Sequence, residues 1–330
     1  MVLKIAIIGT GGIANAHAAA AKDSAGRVEI VAVADVNAES AAKFAQANNA
    51  QPFNSHTSLL AAAKSLGIGA VVVCTPPSIR IPIVAACLKA KLPVMTEKPL
   101  AHTLPDAKKL DALAKRHKKL VTAIGYCHRF TPAVLKMKEL IAAGRIGRLE
   151  RFENFFACDL PGHQSKWFSD PKKAGGGAFL DMGSHSLDLF HFMVGQGKVV
   201  GASFDYEWKG RTETGATVLV KSAKKGGENI PAGVAGVILS GWAETSRFTV
   251  SVVGDKGMLS YDYEDDKKLV FKDLLGKAEV HEIETCGVRF TRQLVAFANA
   301  VQGQKKQGLA TFADGLAAAQ ADHAARKLAK

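Results

Sequence analysis

The chain has 330 residues, 48% of them hydrophobic, which is enough for two packed cores rather than one. Its net charge is +13, from 43 Lys and Arg against 30 Asp and Glu. The basic residues are scattered over helix faces such as Lys115–Lys119, without interleaved aromatics, and read as a solvated cationic surface rather than a nucleic-acid footprint.

The five cysteines (Cys74, Cys87, Cys127, Cys158, Cys286) form no C-x-x-C pair and no metal-ligand spacing, so reduced thiols and no metal are expected. No apolar run approaches the ~20 residues a membrane span needs. The first apolar run is only a strand long, so no membrane association is expected and a cytoplasmic location is.

Val2 to Ile8 is an apolar, β-branched run, and Ile13 to Ala21 is an Ala-rich helical one. Between them lies Gly9-Thr10-Gly11-Gly12-Ile13-Ala14, a G-x-G-x-x-A turn. Gly9 permits the tight turn, Gly11 allows backbone to approach a pyrophosphate, and Ala14 lets helix pack on strand. The helix start at Gly12 and Ile13 offers N–H groups and a positive dipole end to phosphates. Val31 to Ala34 is a second strand, and Asp35 follows it at the spacing of an acid that binds the adenosine ribose. Asp35 would repel a 2′-phosphate, so NAD is expected in preference to NADP.

Strands and helices alternate onward. The spacing predicts a helix over Asn37–Ala47, a weak strand at Gln51–Phe53, a helix over Ser58–Ser65 and a buried strand at Ala70–Cys74. Thr75-Pro76-Pro77 ends that strand, and Pro77 suits the first turn of a helix running to Ala90. A strand at Leu92–Thr96 leads into Glu97-Lys98-Pro99, and a helix over Leu104–His117 and a strand at Leu120–Ile124 follow. This alternation predicts an α/β Rossmann domain over residues 1–124, a doubly wound parallel sheet with ligands at its strands' carboxyl ends.

From residue 125 to 330 the pattern predicts a second, α+β domain with an open, mainly antiparallel sheet. Its expected elements are a helix over Pro132–Ala143, a strand at Leu149–Phe156, a polar loop over Asp159–Lys173 and one long helix over Gly177–Val194. Six strands near Val199–Trp208, Ala216–Lys221, Val234–Ser240, Phe248–Val253, Gly257–Tyr261 and Leu269–Phe271 follow, with a hairpin tip at Lys224–Asn229. Helices over Val288–Gln302 and Phe312–Lys327 close the chain.

Lys98 sits just past a strand end with Pro99 restricting its backbone. It reads either as a surface lysine or as an ammonium aimed at a crevice. Asp181 and His185, four apart on a helix, share one face with Asp188. A carboxylate beside an imidazole makes a competent general base, or a surface pair.

Gly9-x-Gly11-Gly12-x-Ala14, Asp35, Cys74-Thr75-Pro76, Glu97-Lys98-Pro99, His128-Arg129-Phe130-x-Pro132 and Gly175-Gly176-Gly177-x-x-x-Asp181-x-Gly183-x-His185 occur in that order. The set resembles the glucose–fructose oxidoreductase / inositol dehydrogenase / rhizopine-catabolism (Gfo/Idh/MocA) family over essentially the whole chain. The resemblance implies an oxidoreductase moving a hydride between a secondary alcohol of a sugar, sugar derivative or cyclitol and NAD. It makes Lys98, Asp181 and His185 the catalytic trio, with His185 taking the hydroxyl proton, Lys98 bonding that oxygen and Asp181 orienting His185 or a neighbouring hydroxyl. Cofactor contacts fall to Gly9, Gly11, Gly12, Ile13, Asp35, Thr75, Pro76, Glu97 and Lys98. A cis Lys98–Pro99 bond and a homodimer or homotetramer formed through the second domain's sheet are also implied.

Arg80 stands where the family often carries His. Tyr126, Arg129, His163 and Trp167 are candidate substrate residues, with junction packing the alternative for Tyr126 and Arg129. Two other functions fit the same motifs: a non-catalytic NAD-binding regulator, and a redox-neutral, NAD-assisted glycoside-modifying enzyme.

Overall fold

A computed structural model describes residues 1–305 and 307–329. The backbone forms two compact units, Met1–Cys127 with Val288–Leu316, and His128–Gly287 with the segment from Ala317 onward.

The first unit opens with β1 (Leu3–Ile8), α1 (Gly12–Lys22), β2 (Val28–Ala34), α2 (Ala38–Ala47), β3 (Gln51–Phe53) and α3 (His56–Ala61). It continues with β4 (Ala70–Val73), α4 (Arg80–Lys89), β5 (Val94–Thr96), α5 (Leu104–Arg116) and β6 (Thr122–Ile124). The sheet order is β3-β2-β1-β4-β5-β6, and every neighbouring pair is parallel. This is the doubly wound order that changes direction between β1 and β4, where the loops after both strands diverge. β4 is four apolar residues, all fully buried, as a strand covered on both faces must be. Local chemistry starts the helices: the Asn37 side chain accepts from Ser40 N–H to cap α2, and Thr103 accepts from Asp106 N–H to cap α5. The helix expected from Pro77 begins as a 3-10 turn, Pro77–Ile79, and becomes α-helical only at Arg80.

The second unit holds α6 (Pro132–Ala142), β7 (Leu149–Asp159), α7 (Pro171–Ala174) and α8 (Ser184–Met193). Its remaining strands are β8 (Gly197–Asp205), β9 (Gly215–Ser222), β10 (Ala235–Gly241), β11 (Ala243–Gly254), β12 (Gly257–Asp262), β13 (Lys268–Asp273) and β14 (Ala278–Glu282). They form one sheet, β14-β13-β12-β11-β7-β10-β9-β8, antiparallel throughout except where β7 pairs β10 in parallel. Phe152, Phe156, Val218, Ile238, Val250 and Val252 bury one face of it, with Phe179 and Phe190. β14 was not among the expected strands; Ala278-Glu279-Val280-His281-Glu282 carries too little apolar character to show a period.

One expected helix is two elements. Gly177–Val194 divides into a π-helical turn, Phe179–Gly183, and α8. Apolar spacing does not distinguish a π turn from an α turn, so the simple four-apart geometry of Asp181 and His185 is altered by an insertion the sequence did not signal.

Past β14, α9 (Arg289–Val301) and the start of α10 (Phe312–Leu328) belong to the first unit. The Phe290 ring meets His17 of α1 edge-on at 6.1 Å, and Ile124 N–H donates to Ala310 carbonyl at 3.0 Å. The expected second domain, 125–330, therefore gives up Val288–Leu316, because these side chains are buried against the first sheet's helices.

Candidate functional site

The first unit's site begins at Gly9, where φ is +93° and an added Cβ would lie 3.0 Å from backbone atoms of Cys74 and Thr75. Both the left-handed backbone and the crossing chain require glycine. Gly11 starts α1 with no side-chain cap and no acid in the first turn. A Cβ at Gly11 or Gly12 would meet no atom within 4 Å. The helix start at Gly12 and Ile13 thus presents bare backbone, which fits a pyrophosphate.

Asp35 is held in place beside this turn. Its Oδ2 accepts from Thr10 N–H at 2.8 Å and Thr10 hydroxyl at 3.0 Å, and its Oδ1 accepts from Asn37 N–H at 2.9 Å. The Thr10 hydroxyl also contacts Ser40 Oγ at 2.8 Å. Each carboxylate oxygen has two acceptor sites, so Asp35 keeps capacity for a ribose hydroxyl while its rotamer is fixed. Thr10 and Ser40 were not singled out in the sequence. Their signal was available only as hydroxyls flanking a predicted strand end.

At the carboxyl ends of β4 and β5, one buried guanidinium joins three loops. Arg80 donates from Nε and Nη2 to Thr75 carbonyl at 3.0 and 2.8 Å, from Nη1 to the carbonyls of Glu97 and Pro99, and from Nη2 to Lys98 carbonyl at 3.4 Å. Burial lowers its pKa to about 10, with the Glu97 charge opposing that, so Arg80 stays cationic at neutral pH. Glu97 is buried as well. Its Oε1 lies 2.7 Å from His17 Nε2, and its Oε2 accepts from Lys98 N–H at 3.1 Å. Burial pushes the Glu97 carboxyl up, but the His17 hydrogen bond and the charges of His17, Lys98 and Arg80 outweigh it, and the net shift is down. Glu97 is thus a buried carboxylate tethered behind Lys98. The Lys98–Pro99 bond is cis. Thr75 is buried and Pro76 half-buried at the same strand end.

Burial raises the thiol pKa of Cys74, of Cys87 to about 12 and of Cys127 to about 11, so all three stay protonated. None supplies a nucleophile.

In the second unit, Asp181 lies in the π turn, and its Oδ2 accepts from the indole N–H of Trp242 at 3.2 Å. Trp242 is fully buried between β10 and β11. The His163 ring lies 5.3 Å from Trp242 and stacks 4.9 Å from Phe168, whose other neighbour is Trp167 at 4.0 Å. Trp208 stacks on Trp242 at 6.1 Å. His163 therefore meets the indole that holds Asp181, and Trp167 joins the cluster through Phe168. Trp242 and Trp208 were missed because their partners are remote in sequence; Phe168, between local partners, was also not singled out.

His185 opens α8, and its ring meets His128 at 4.5 Å, nearly perpendicular. His128 Nδ1 lies 2.8 Å from the Tyr263 hydroxyl. The turn that carries Asp181 is anchored from below. Buried Glu213 accepts from Gly177 N–H at 2.7 Å and Phe179 N–H at 3.3 Å, and Arg326 of α10 donates to both its oxygens at 2.9 and 2.8 Å. Burial disfavours the Arg326 charge, but hydrogen bonds and charge from Glu213 and Asp322 outweigh it, and its pKa rises. A Cβ on Gly177 would fall 2.0 Å from Glu213 carbonyl oxygen, so only glycine fits there.

Two candidate substrate residues are interior. Arg129 is buried, donating to Asp188 from Nε at 2.7 Å and Nη2 at 2.5 Å. That pairing engages the guanidinium of Arg129 with the carboxylate of Asp188. Tyr126 is 1% exposed.

Two family models match the chain: "Oxidoreductase family, NAD-binding Rossmann fold" over residues 3–125 and "GFO/IDH/MocA C-terminal domain" over residues 134–260. The rhizopine catabolism protein MocA of Rhizobium meliloti is 31% identical over 193 residues, 58% of this chain and 57% of that protein. Inositol 2-dehydrogenase of Rubrobacter xylanophilus is 32% identical over 168 residues, 50% of this chain and 47% of that protein. The chain spans about half the length of the curated relatives it matches. Levoglucosan dehydrogenase, solved with NADH and levoglucosan, superposes with a TM-score of 0.87 at 21% identity, covering 100% of this chain and 97% of that one. An inositol dehydrogenase homologue from Azotobacter vinelandii, solved with NAD+, gives 0.86 at 20% identity, covering 100% and 95%. The structural likeness is one of fold; the matched models show more, and the chain belongs to the Gfo/Idh/MocA oxidoreductase family.

Proposed function

We propose that this protein is an NAD-dependent dehydrogenase acting on a secondary alcohol of a sugar, sugar derivative or cyclitol. The observation that carries the reading is the bare Gly11-Gly12 backbone beside a fixed Asp35 carboxylate, at the switch point of a 3-2-1-4-5-6 sheet. The residues fit the cofactor: Gly9, Gly11, Gly12 and Ile13 would cradle the pyrophosphate, and Asp35 would take the adenosine ribose. Thr75, Pro76, Glu97 and Lys98 would line the strand ends toward the nicotinamide. When bound, NAD supplies a hydride acceptor.

The chain's own groups would manage the proton and the geometry. His185 takes the hydroxyl proton, and Lys98 donates a hydrogen bond to the same oxygen. Asp181, fixed by Trp242, orients His185 or a neighbouring substrate hydroxyl. His163 and Trp167 are proposed substrate contacts through the aromatic cluster on Trp242. Relatives named as inositol 2-dehydrogenase, levoglucosan dehydrogenase and D-glucoside 3-dehydrogenase support a polyol substrate.

A homodimer or homotetramer through the second sheet is part of the reading, supported by exposed Val200, Leu219 and Val280 on its strands. A cytoplasmic location is supported by five free cysteines. No helix among the described residues is long and apolar enough to cross a membrane.

The test is NADH formation with NAD and a panel of myo-inositol, levoglucosan and D-glucosides. Turnover with at least one member is expected. NAD binding with no turnover on any polyol would instead favour a regulator.

A further inference from the structure

A dehydrogenase that oxidises an alcohol releases one proton per turnover, and a general base buried in a site must pass that proton on before acting again. Resting on the assignment of His185 as that base, we propose that His128 and Tyr263 form its proton outlet.

The geometry is confined to the second unit. The His128 and His185 rings lie 4.5 Å apart at 77°, and ring nitrogens of the two come within 4.8 Å. One bridging water would close that gap, since each hydrogen bond spans about 2.8 Å. On its other side, His128 Nδ1 lies 2.8 Å from Tyr263 Oη, which is 3.5 Å from Thr131 Oγ1. Phe156 walls the pair, 4.9 Å from His128 and 5.4 Å from Tyr263. His128 and Tyr263, like His185, are half-buried. An imidazole is suited to this step because it takes a proton on one nitrogen and releases one from the other.

With Nδ1–H donating to Tyr263, His128 Nε2 carries the accepting lone pair. His185 loses its N–H proton to the bridging water, which hands one to His128 Nε2. His128 Nδ1 gives its proton to Tyr263 Oη, whose own proton leaves to solvent. One proton enters and one leaves, and no electrons change hands. Neither the Lys98 amine nor Asp181 takes part.

The test uses His128→Phe, which keeps a ring against His185, and Tyr263→Phe, which removes only the hydroxyl. In dilute buffer with the polyol that turns over fastest, kcat is expected to fall about 10- to 100-fold in each, no more than the bottom of the range for a positioned proton transfer. KM should stay near the parent value, and high concentrations of imidazole or another small buffer should restore kcat. In the protein without nucleotide, the 15N signal of His128 Nδ1 should move in Tyr263→Phe. Parental kcat in dilute buffer, or a loss that buffer does not repair, would overturn the proposal, as would an unmoved Nδ1 signal. His185→Ala separates the layers: if it abolishes turnover while the other two variants behave as parent, the base assignment stands and the outlet fails. If His185→Ala matches the parent, the underlying assignment fails.

Discussion

His17 of α1 and Glu97 at the end of β5 meet at 2.7 Å inside the first unit, 80 residues apart in sequence. The pair places an interior carboxylate directly behind Lys98, whose N–H it also accepts. Lys98 therefore leaves the sheet from a backbone fixed by a side chain on one side and by the Arg80 guanidinium on the other.

The lowered Glu97 pKa carries a pH signature. A carboxyl whose folded pKa lies below its unfolded value of about 4.3 contributes stability above that value, and loses it as pH falls through the folded pKa. Glu97→Gln should cost about 3 kcal/mol at neutral pH, because it removes the carboxylate from the buried His17–Glu97 pair. The gap between parent and variant should narrow as pH falls below about 4. Urea unfolding at neutral and acid pH measures it; a gap that is constant or widens in acid contradicts the ionised state of Glu97.

Arg80 is the second positioning group. Lysine presents a point charge and cannot reach the carbonyls of Thr75, Glu97, Lys98 and Pro99 together. Arg80→Lys is expected to lower kcat by about 10-fold or more, since small misplacements of a reacting group are costly. Nucleotide affinity should change little. Parental kcat in this variant would show that Lys98 is placed by other contacts.

Asp35→Ala tests cofactor choice. Losing hydrogen bonds to a charged acceptor, at about 1.5–3 kcal/mol, should reduce kcat/KM for NAD about 10- to 100-fold. The NAD-to-NADP ratio should fall, because the charge that repels a 2′-phosphate is gone. An unchanged ratio would remove Asp35 from the ribose site.

The Glu213–Arg326 pair is predicted to hold the turn carrying Asp181. Glu213→Gln should destabilise the fold by about 3 kcal/mol, as breaking one side of a buried ion pair does. Arg326→Gln should give a similar loss and the double variant less than their sum. Thermal unfolding of the three variants measures this; additive losses would mean the pair is not coupled.

How much of this was legible in the sequence follows from how far apart the partners lie. The Gly9–Ala14 turn, Asp35 and the alternation through Ile124 are local patterns, and a parallel doubly wound sheet follows from them. Asp181 and His185 were identifiable by residue type. Their surroundings were not: Trp242 reaches Asp181 across 61 positions, Tyr263 reaches His128 across 135, and Arg326 reaches Glu213 across 113. No periodicity encodes such pairs. The partner of Arg129, Asp188, was hidden for the same reason, 59 positions away. The π turn at Phe179–Gly183 escaped because it keeps helical apolar spacing while changing the hydrogen-bond ladder.

The proposed function assigns Lys98 and His185 to one substrate oxygen. A double-mutant cycle on kcat, with Lys98→Met, His185→Ala and the combined variant, tests it most directly. Each single change should cost about 10²–10⁴-fold, and the double should lose little more than the worse single, because groups acting on one step fail together. Losses that multiply in full, or parental turnover in either single variant, would contradict it.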